Sequence, residues 1–143
     1  MRWWPTVCHA GDMIRVRIGS LWHYGIYVSD AEVIQFGLPP RGNPKPAGQI
    51  RVCTSTIAEF TGGEIVEVAR LSLGERVRRI PAKKTIQMAR ERIGEGGYHV
   101  LNNNCEHFVT GCVFGKAHSL QSEAALKCAQ GLYSEATAEN PQD

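Results

Sequence analysis

A cysteine stands behind three asparagines in Asn102-Asn103-Asn104-Cys105-Glu106-His107-Phe108-Val109, in a context that reads as the start of a helix. A thiol at that position faces unpaired main-chain N–H groups and the positive end of the helix dipole, and both favour thiolate over thiol. The nucleophile still needs a base to take its proton. His23 supplies one, within the apolar run Trp22-His23-Tyr24-Gly25-Ile26-Tyr27-Val28, which reads as a β-strand. Such help is typically worth about 10²–10⁴-fold in rate. A cysteine activated by an imidazole is the chemistry of acyl transfer through a thioester. Taken singly, each residue also has a plainer reading, as a buried core thiol or a core histidine bonded to main chain.

The segments Gly11-Asp12-Met13-Ile14-Arg15-Val16-Arg17-Ile18, Trp22 to Val28 and Asn103-Asn104-Cys105-Glu106-His107-Phe108-Val109, in that order, resemble the lecithin:retinol acyltransferase (LRAT) family. The resemblance spans roughly residues 11 to 121, and Tyr98 and the helix before the cysteine also fit it. It implies a permuted relative of the NlpC-type papain-like peptidases, because those enzymes run Cys then His, whereas this chain runs His then Cys. It further implies that Cys105 attacks lipid ester or amide carbonyls, with His23 as base and either hydrolysis or transfer as the outcome. No metal or organic cofactor is required. The paired motifs favour the catalytic reading of both residues over the plainer ones.

Many members of that family carry a histidine twelve residues beyond the strand histidine, to orient the imidazole; here that position is Gln35. A glutamine carbonyl accepts the same N–H without bringing charge. The pairing of the two strands tests the assignment. A two-residue Ser29-Asp30 turn sets Gln35 opposite Tyr24, on the wrong face, whereas a three-residue turn over Val28–Asp30 sets it opposite His23. A one-residue slip reverses every face, so the triad of Cys105, His23 and Gln35 requires the second register.

Other polar residues read more simply. His107 lies two residues past the cysteine and on a helix does not face it, so a structural or capping role fits better. His9, His99 and His118 read as surface residues, Glu32 as solvent-facing, and Asp12 as turn chemistry. The main-chain N–H of Cys105 is the expected oxyanion donor. Trp3, Trp4 and Trp22 read as core or rim, with Trp22 and Tyr24 helping to wall the site.

The 143 residues suit one domain, with 43% apolar and 21% charged side chains. We divide the chain into an N-terminal extension (1–10), an LRAT-like domain (11–132) and a polar tail (133–143). No apolar run reaches membrane-spanning length, and the N-terminus lacks the apolar stretch of a signal peptide. Five cysteines, odd in number and without C-x-x-C spacing, argue against a disulfide framework and a zinc site. A cytoplasmic protein, peripheral at membranes, is the expectation. Between Arg70 and Arg92 eight basic residues face two acidic ones. The default reading of that stretch is a solvated face, and it would also suit anionic lipid at about 1 kcal/mol per side chain. Nucleic acid is not expected, since no aromatic interleaving accompanies the charge. Oligomeric state is left open.

The elements that must position the site follow from periodicity. Residues 13–18 alternate, with Ile14, Val16 and Ile18 inward and Arg15 and Arg17 outward, and residues 22–36 read as a hairpin. Residues 37–48, rich in proline and glycine, form a loop that would serve as a lid or a plain connector. Short strands follow at 49–53 and 64–70, flanking a brief helix capped by Thr54-Ser55-Thr56 and closed by Gly62-Gly63. Pro81 opens a helix with Ile86, Ala89 and Ile93 on one face, ended by Gly94. Tyr98–Leu101 is extended, Asn103 or Asn104 caps the cysteine helix, and a last helix covers 122–132. Strands first and helices later give an α+β fold, an antiparallel sheet packed with helices. Two other readings use the same residues: an NlpC-like amide hydrolase or peptidase, and a catalytically silent lipid- or protein-binding module.

Overall fold

The computed structural model describes residues 1–37, 46–99 and 104–115. Six antiparallel strands build one sheet: β1 (Arg2–Trp4), β2 (Met13–Ile18), β3 (Leu21–Ser29), β4 (Glu32–Phe36), β5 (Val52–Ser55) and β6 (Val66–Arg70). Their order across the sheet is β1-β6-β2-β3-β4-β5. Strands β2 to β5 are a meander, and β6 returns to the free edge of β2. Among the described residues the helices are α1 (Ile57–Thr61), α2 (Leu73–Arg78), α3 (Ala82–Glu91) and α4 (Cys105–Phe114). The fold is α+β.

Alternation along the strands divides the core in two. Ile14, Val16, Val33 and Val68 join Phe60 of α1 on one face. Met13, Tyr24, Ile26, Ile34 and Phe36 meet Ala89 of α3 and Phe108, Val109 and Cys112 of α4 on the other. The second face is therefore covered, and the outward orientation expected for Arg15 is corrected. Its guanidinium lies on that face between Trp22, at 3.7 Å from the ring centroid, and Trp3, at 4.5 Å, and pairs with Glu67 at 2.8 Å. A half-buried arginine there depends on those partners, since its charge keeps little water.

Helix ends follow their local chemistry. Thr56 caps α1 through a reciprocal box with Glu59, and Gly62 closes it in the left-handed conformation. Ser72 and Glu75 repeat the box on α2, a helix the sequence reading left unassigned. Pro81 stands at the N-cap of α3, whose buried residues are Thr85 and Ala89, and Ile93 is exposed. The inward face of α3 thus lies about one residue round from the one periodicity suggested. Strand β5 begins later than 49–53, and β6 later than residue 64. Arg2–Trp4 pairs with β6 at the sheet edge. The expected helix over 122–132, the tail, His118, Cys128 and most of the 37–48 loop lie outside the described residues.

The β3–β4 hairpin settles the register in a third way. Ser29 pairs with Glu32 around a two-residue Asp30–Ala31 turn, and an irregularity between Tyr27 and Ser29 then shifts the pairing by one. Beyond this bulge Tyr27 opposes Val33 and Gly25 opposes Gln35. Gln35 is therefore opposite neither Tyr24 nor His23. The extra residue Val28 nevertheless restores the face the triad needs, because His23, Gly25 and Gln35 share one side of the sheet. Gly25 matters in this arrangement, since a Cβ there would stand 2.8 Å from Phe60 Cε2 and 3.0 Å from Val33 Cγ1. Gly25→Ala is expected to destabilise the protein by about 1–3 kcal/mol through overpacking. Urea unfolding checks this, and an unchanged midpoint would show that Phe60 yields freely.

Candidate active site

His23 lies on the α1 face of β3, diagonal to Gln35 rather than directly across from it, a separation long side chains bridge. Its Nε2 stands 2.6 Å from Gln35 Oε1. Gln35 Nε2 in turn donates to Ser55 Oγ at 2.6 Å, and the Ser55 hydroxyl donates to the main-chain carbonyl of Thr56 at 3.1 Å. The direction of this chain is set from its far end. Ser55 spends its one proton on the carbonyl, so it accepts from the amide, and the amide must turn its oxygen to the imidazole. An acceptor facing Nε2 requires a proton on Nε2, which leaves Nδ1 of the neutral ring as the lone-pair nitrogen. His23, Gln35 and Ser55 are all buried, which makes each of these bonds costly to lose. The ring of Phe60 packs on the imidazole with centroids 5.4 Å apart.

Trp22 and Tyr24, expected to help wall the site, lie on the face of β3 opposite the imidazole, in and against the core cluster that holds Cys105. There Arg15 stacks on Trp22 and bonds the Tyr24 hydroxyl. The wall beside His23 is Phe60.

Cys105 is the first residue of α4. Asn104 caps the helix: its side-chain oxygen accepts from the N–H groups of Glu106 and His107, and its own N–H donates to His107 Nδ1. This is a capping box with histidine in the third position, a device worth about 1 kcal/mol, and it gives His107 the capping role read from its spacing. Gly115 ends the helix in the left-handed conformation. Within α4, Thr110 donates to the carbonyl of Glu106, and both side chains are buried.

The sulfur reaches β3 in the plane of the sheet. Tyr27 uses its N–H and C=O on Asp12 and Gly11, on the β2 side. By alternation the Tyr24 N–H looks the other way, toward β4. The β3–β4 pairing, however, ends at Gly25 and Gln35, and Phe36 goes on to pair with Val52. Into that gap the Cys105 sulfur enters and takes the Tyr24 N–H. The structure thus brings His23 and Gln35 into direct contact, and attaches Cys105 to the same strand at the residue following His23.

Burial decides the protonation of the thiol. Only 6% exposed, Cys105 is pushed up to about 11, chiefly by loss of water; the N–H groups of Tyr24, Cys105 and Glu106 pull the other way, and the Glu106 charge adds to the rise. The low thiol pKa expected from the helix N-terminus is therefore corrected, because desolvation outweighs the dipole and its donors. Tyr98, packed on Phe36, is raised to about 12, first by burial and then by the Cys105 charge, and Tyr24 is also raised, mainly by burial. Both phenols therefore keep their protons near pH 7.

Ser55 was read from sequence only as part of a helix-capping run. The signal that could have found it is a hydroxyl on a strand adjacent to Gln35, visible once β4 and β5 are paired. Glu32, read as solvent-facing, is tied to Arg90 at 2.7 Å. His9 and His99 are exposed, and Asp12 accepts the His9 N–H in a turn. Cys8, Cys53, Cys105 and Cys112 are free thiols. Among the described residues no group of three or more acidic, histidine or cysteine side chains forms a metal-binding cluster.

The family model described as lecithin retinol acyltransferase matches residues 6–118. This chain belongs to the LRAT family. Among its relatives, human lecithin retinol acyltransferase is 29% identical over 136 residues, covering 80% of this chain and 58% of that protein. Human phospholipase A and acyltransferase 4 is 27% identical, covering 80% of this chain and 75% of that protein. Mouse phospholipase A and acyltransferase 1 is 31% identical, covering 86% and 78%. The chain therefore spans little more than half of the first of these LRAT relatives. The family match includes His23, Gln35, Ser55 and Cys105.

Two measurements check this electrostatic arrangement. Nitrogen NMR of the His23 ring is expected to report a protonated Nε2 in the wild type and a growing share of the other tautomer in Ser55→Ala. Ser55→Thr, which keeps the hydroxyl, is expected to restore the wild-type spectrum; a spectrum unmoved by Ser55→Ala would remove Ser55 from the chain. Peptide-mapped alkylation by iodoacetamide, with Cys105→Ala as the blank, is expected to rise continuously toward pH 11. A plateau reached below pH 7 would show a preformed thiolate instead.

Proposed function

We propose that this LRAT-family protein is a thiol-dependent acyltransferase and hydrolase acting on lipid ester or amide bonds. The observation that supports it best is the directed chain from Thr56 through Ser55 and Gln35 to His23, on the strand whose next N–H meets the Cys105 sulfur. The names of the relatives, which specify lecithin retinol acyl transfer and phospholipase A with acyltransferase activity, support the lipid substrate class.

In the proposed cycle the Cys105 Sγ–H gives its proton to His23 Nδ1 as the sulfur adds to the carbonyl carbon. The main-chain N–H of Cys105 donates to the oxygen that gains the charge. As the tetrahedral adduct collapses, the bond from carbon to the leaving oxygen or nitrogen breaks, and His23 returns its proton to that group. A thioester on Cys105 remains. Water, an alcohol or an amine then attacks the thioester, giving its proton to His23, and the Cys105 thiolate departs and is reprotonated. Gln35 contributes by holding the Nε2–H, so that Nδ1 is the nitrogen that carries the lone pair.

Since Cys105 rests as a neutral thiol, deprotonation and attack are coupled, and the charge goes directly to the carbonyl oxygen. This is general-base catalysis rather than attack by a stored ion pair.

Intact-protein mass spectrometry after incubation with a short-chain phospholipid is expected to show one acyl group, mapped to Cys105 and absent in Cys105→Ala. His23→Ala is expected to slow acylation by about 10²–10⁴-fold. Acylation of Cys105→Ala equal to wild type would overturn the reading, as would the absence of both an adduct and any ester or amide turnover. Product analysis with water alone or with an added amine then measures hydrolysis against transfer.

A further inference from the structure

Helix α2 runs against the rule that a short helix turns its apolar residues inward. Leu73 and Val77, four residues apart and so on one face, are each 80% exposed, and no residue of the helix is buried. The opposite side of α2, through Glu75 and Arg78, borders a cavity of about 560 Å³. Tyr24 and Glu106 line the same cavity, together with the apolar side chains of Trp3, Met13, Val109 and Phe114. These two polar residues are the chain neighbours of His23 and Cys105. One short helix therefore borders a largely apolar space whose lining includes the chain neighbours of His23 and Cys105.

The exposed charge of α2 and its flanking segments is basic. Between Arg70 and Lys84 there are six basic side chains and a single carboxylate, Glu75. That carboxylate is turned inward, where it closes the Ser72 cap. Arg70, Arg76, Arg78, Lys83 and Lys84 are exposed. Trp4 is half exposed with Arg70 over its ring, and Trp4, Val7, Arg70 and Arg76 line one shallow depression beside the helix. Exposed aliphatic side chains, a half-exposed indole and a ring of cations form the composition that seats in the headgroup region of a bilayer.

We propose that α2 is the docking element of this protein on anionic membranes, with Leu73 and Val77 entering the interface and Arg70, Arg76 and Lys83 holding acidic headgroups. The proposal rests on the acyl-transfer reading only for its purpose, since the cavity behind α2 would receive an acyl chain drawn from the docked surface. Docking itself is independent of catalysis. None of these docking residues belongs to the His23, Gln35, Ser55 and Cys105 machinery.

Sedimentation with vesicles of pure phosphatidylcholine, and with vesicles containing phosphatidylserine, tests the proposal on the full chain. Wild type is expected to bind the acidic vesicles more tightly and to be released by salt. The double variant Leu73→Asp/Val77→Asp, which alters only exposed positions, is expected to weaken that binding at least about tenfold. Arg76→Ala is expected to weaken it about fivefold, on acidic vesicles only. Turnover of a monomeric short-chain ester without vesicles is expected to be equal in wild type and the double variant. Loss of that turnover in wild type with vesicle binding intact would sink the catalytic reading and leave docking standing. Equal vesicle binding by wild type and the double variant would overturn docking, as would capture by a protein partner with no affinity for vesicles. Equal binding to neutral and acidic vesicles would overturn the role of the basic ring.

Discussion

The arrangement of the site depends on one extra residue. Val28 sits in the irregularity of β3 where pairing with β4 slips by one position. Because side chains alternate with a period of two, that slip decides which face of the sheet Gln35 shares. Continued from the Ser29–Glu32 pair without the slip, the ladder would put Gln35 with Ile26 and Tyr24, against α4. With the slip, Gln35 joins His23 and Gly25, and its amide reaches the imidazole on one side and Ser55 on β5 on the other. The missing side chain at Gly25 leaves room there for Phe60, which packs the ring in place. A bulge, a glycine and a phenylalanine from α1 thus act as one device, and none of them is itself reactive.

Polarity within that device is carried by neutral groups. Thr56 offers a carbonyl, Ser55 a hydroxyl and Gln35 an amide, each able to act in only one direction once the first is set. A carboxylate in place of Gln35 would also hold the Nε2–H, and would stabilise an imidazolium by its charge. It would need solvating in return, in a pocket where Gln35 has no exposed surface. The glutamine avoids that cost. The raised pKa of Cys105 has a separate cause, the loss of water on burial, which outweighs the N–H donors at the start of α4.

Much of this was legible in the residues, to the extent that local chemistry determined it. The alternation of residues 13–18, the Thr56 cap, the glycine stops and the Asn104 cap of α4 are each set within a few positions of themselves. Long-range matters were not. The bulge at Val28 has no sequence signature, because strand pairing is set by the whole sheet rather than by the hairpin's own residues. The burial of Arg15 was missed because alternation tells which residues share a face but not whether that face is covered. Helix α2 was missed because its apolar residues point outward, so the pattern that betrays a packed helix is absent. The thiol escapes the sequence for a related reason: helix dipoles and N–H donors can be inferred from position, but loss of water depends on what buries the sulfur, here a core that includes Tyr24 and Phe108, with Tyr98 packed against it.

On the proposed roles, resting neutrality has a consequence for the kind of substrate that fits. A thiolate and imidazolium held ready in a buried site would be destabilised further whenever an apolar ligand expelled the remaining water. A neutral thiol beside a neutral base loses nothing of that kind, and dehydration instead strengthens the N–H donors that await the carbonyl oxygen. Charge then appears only with the substrate in place, at the atom the helix N-terminus faces. An acyl chain entering the cavity beside Tyr24 and Glu106 would therefore dry the site without raising the energy of its resting state. Such a site is better matched to acyl groups delivered from a lipid phase than to a polar peptide carrying its own water.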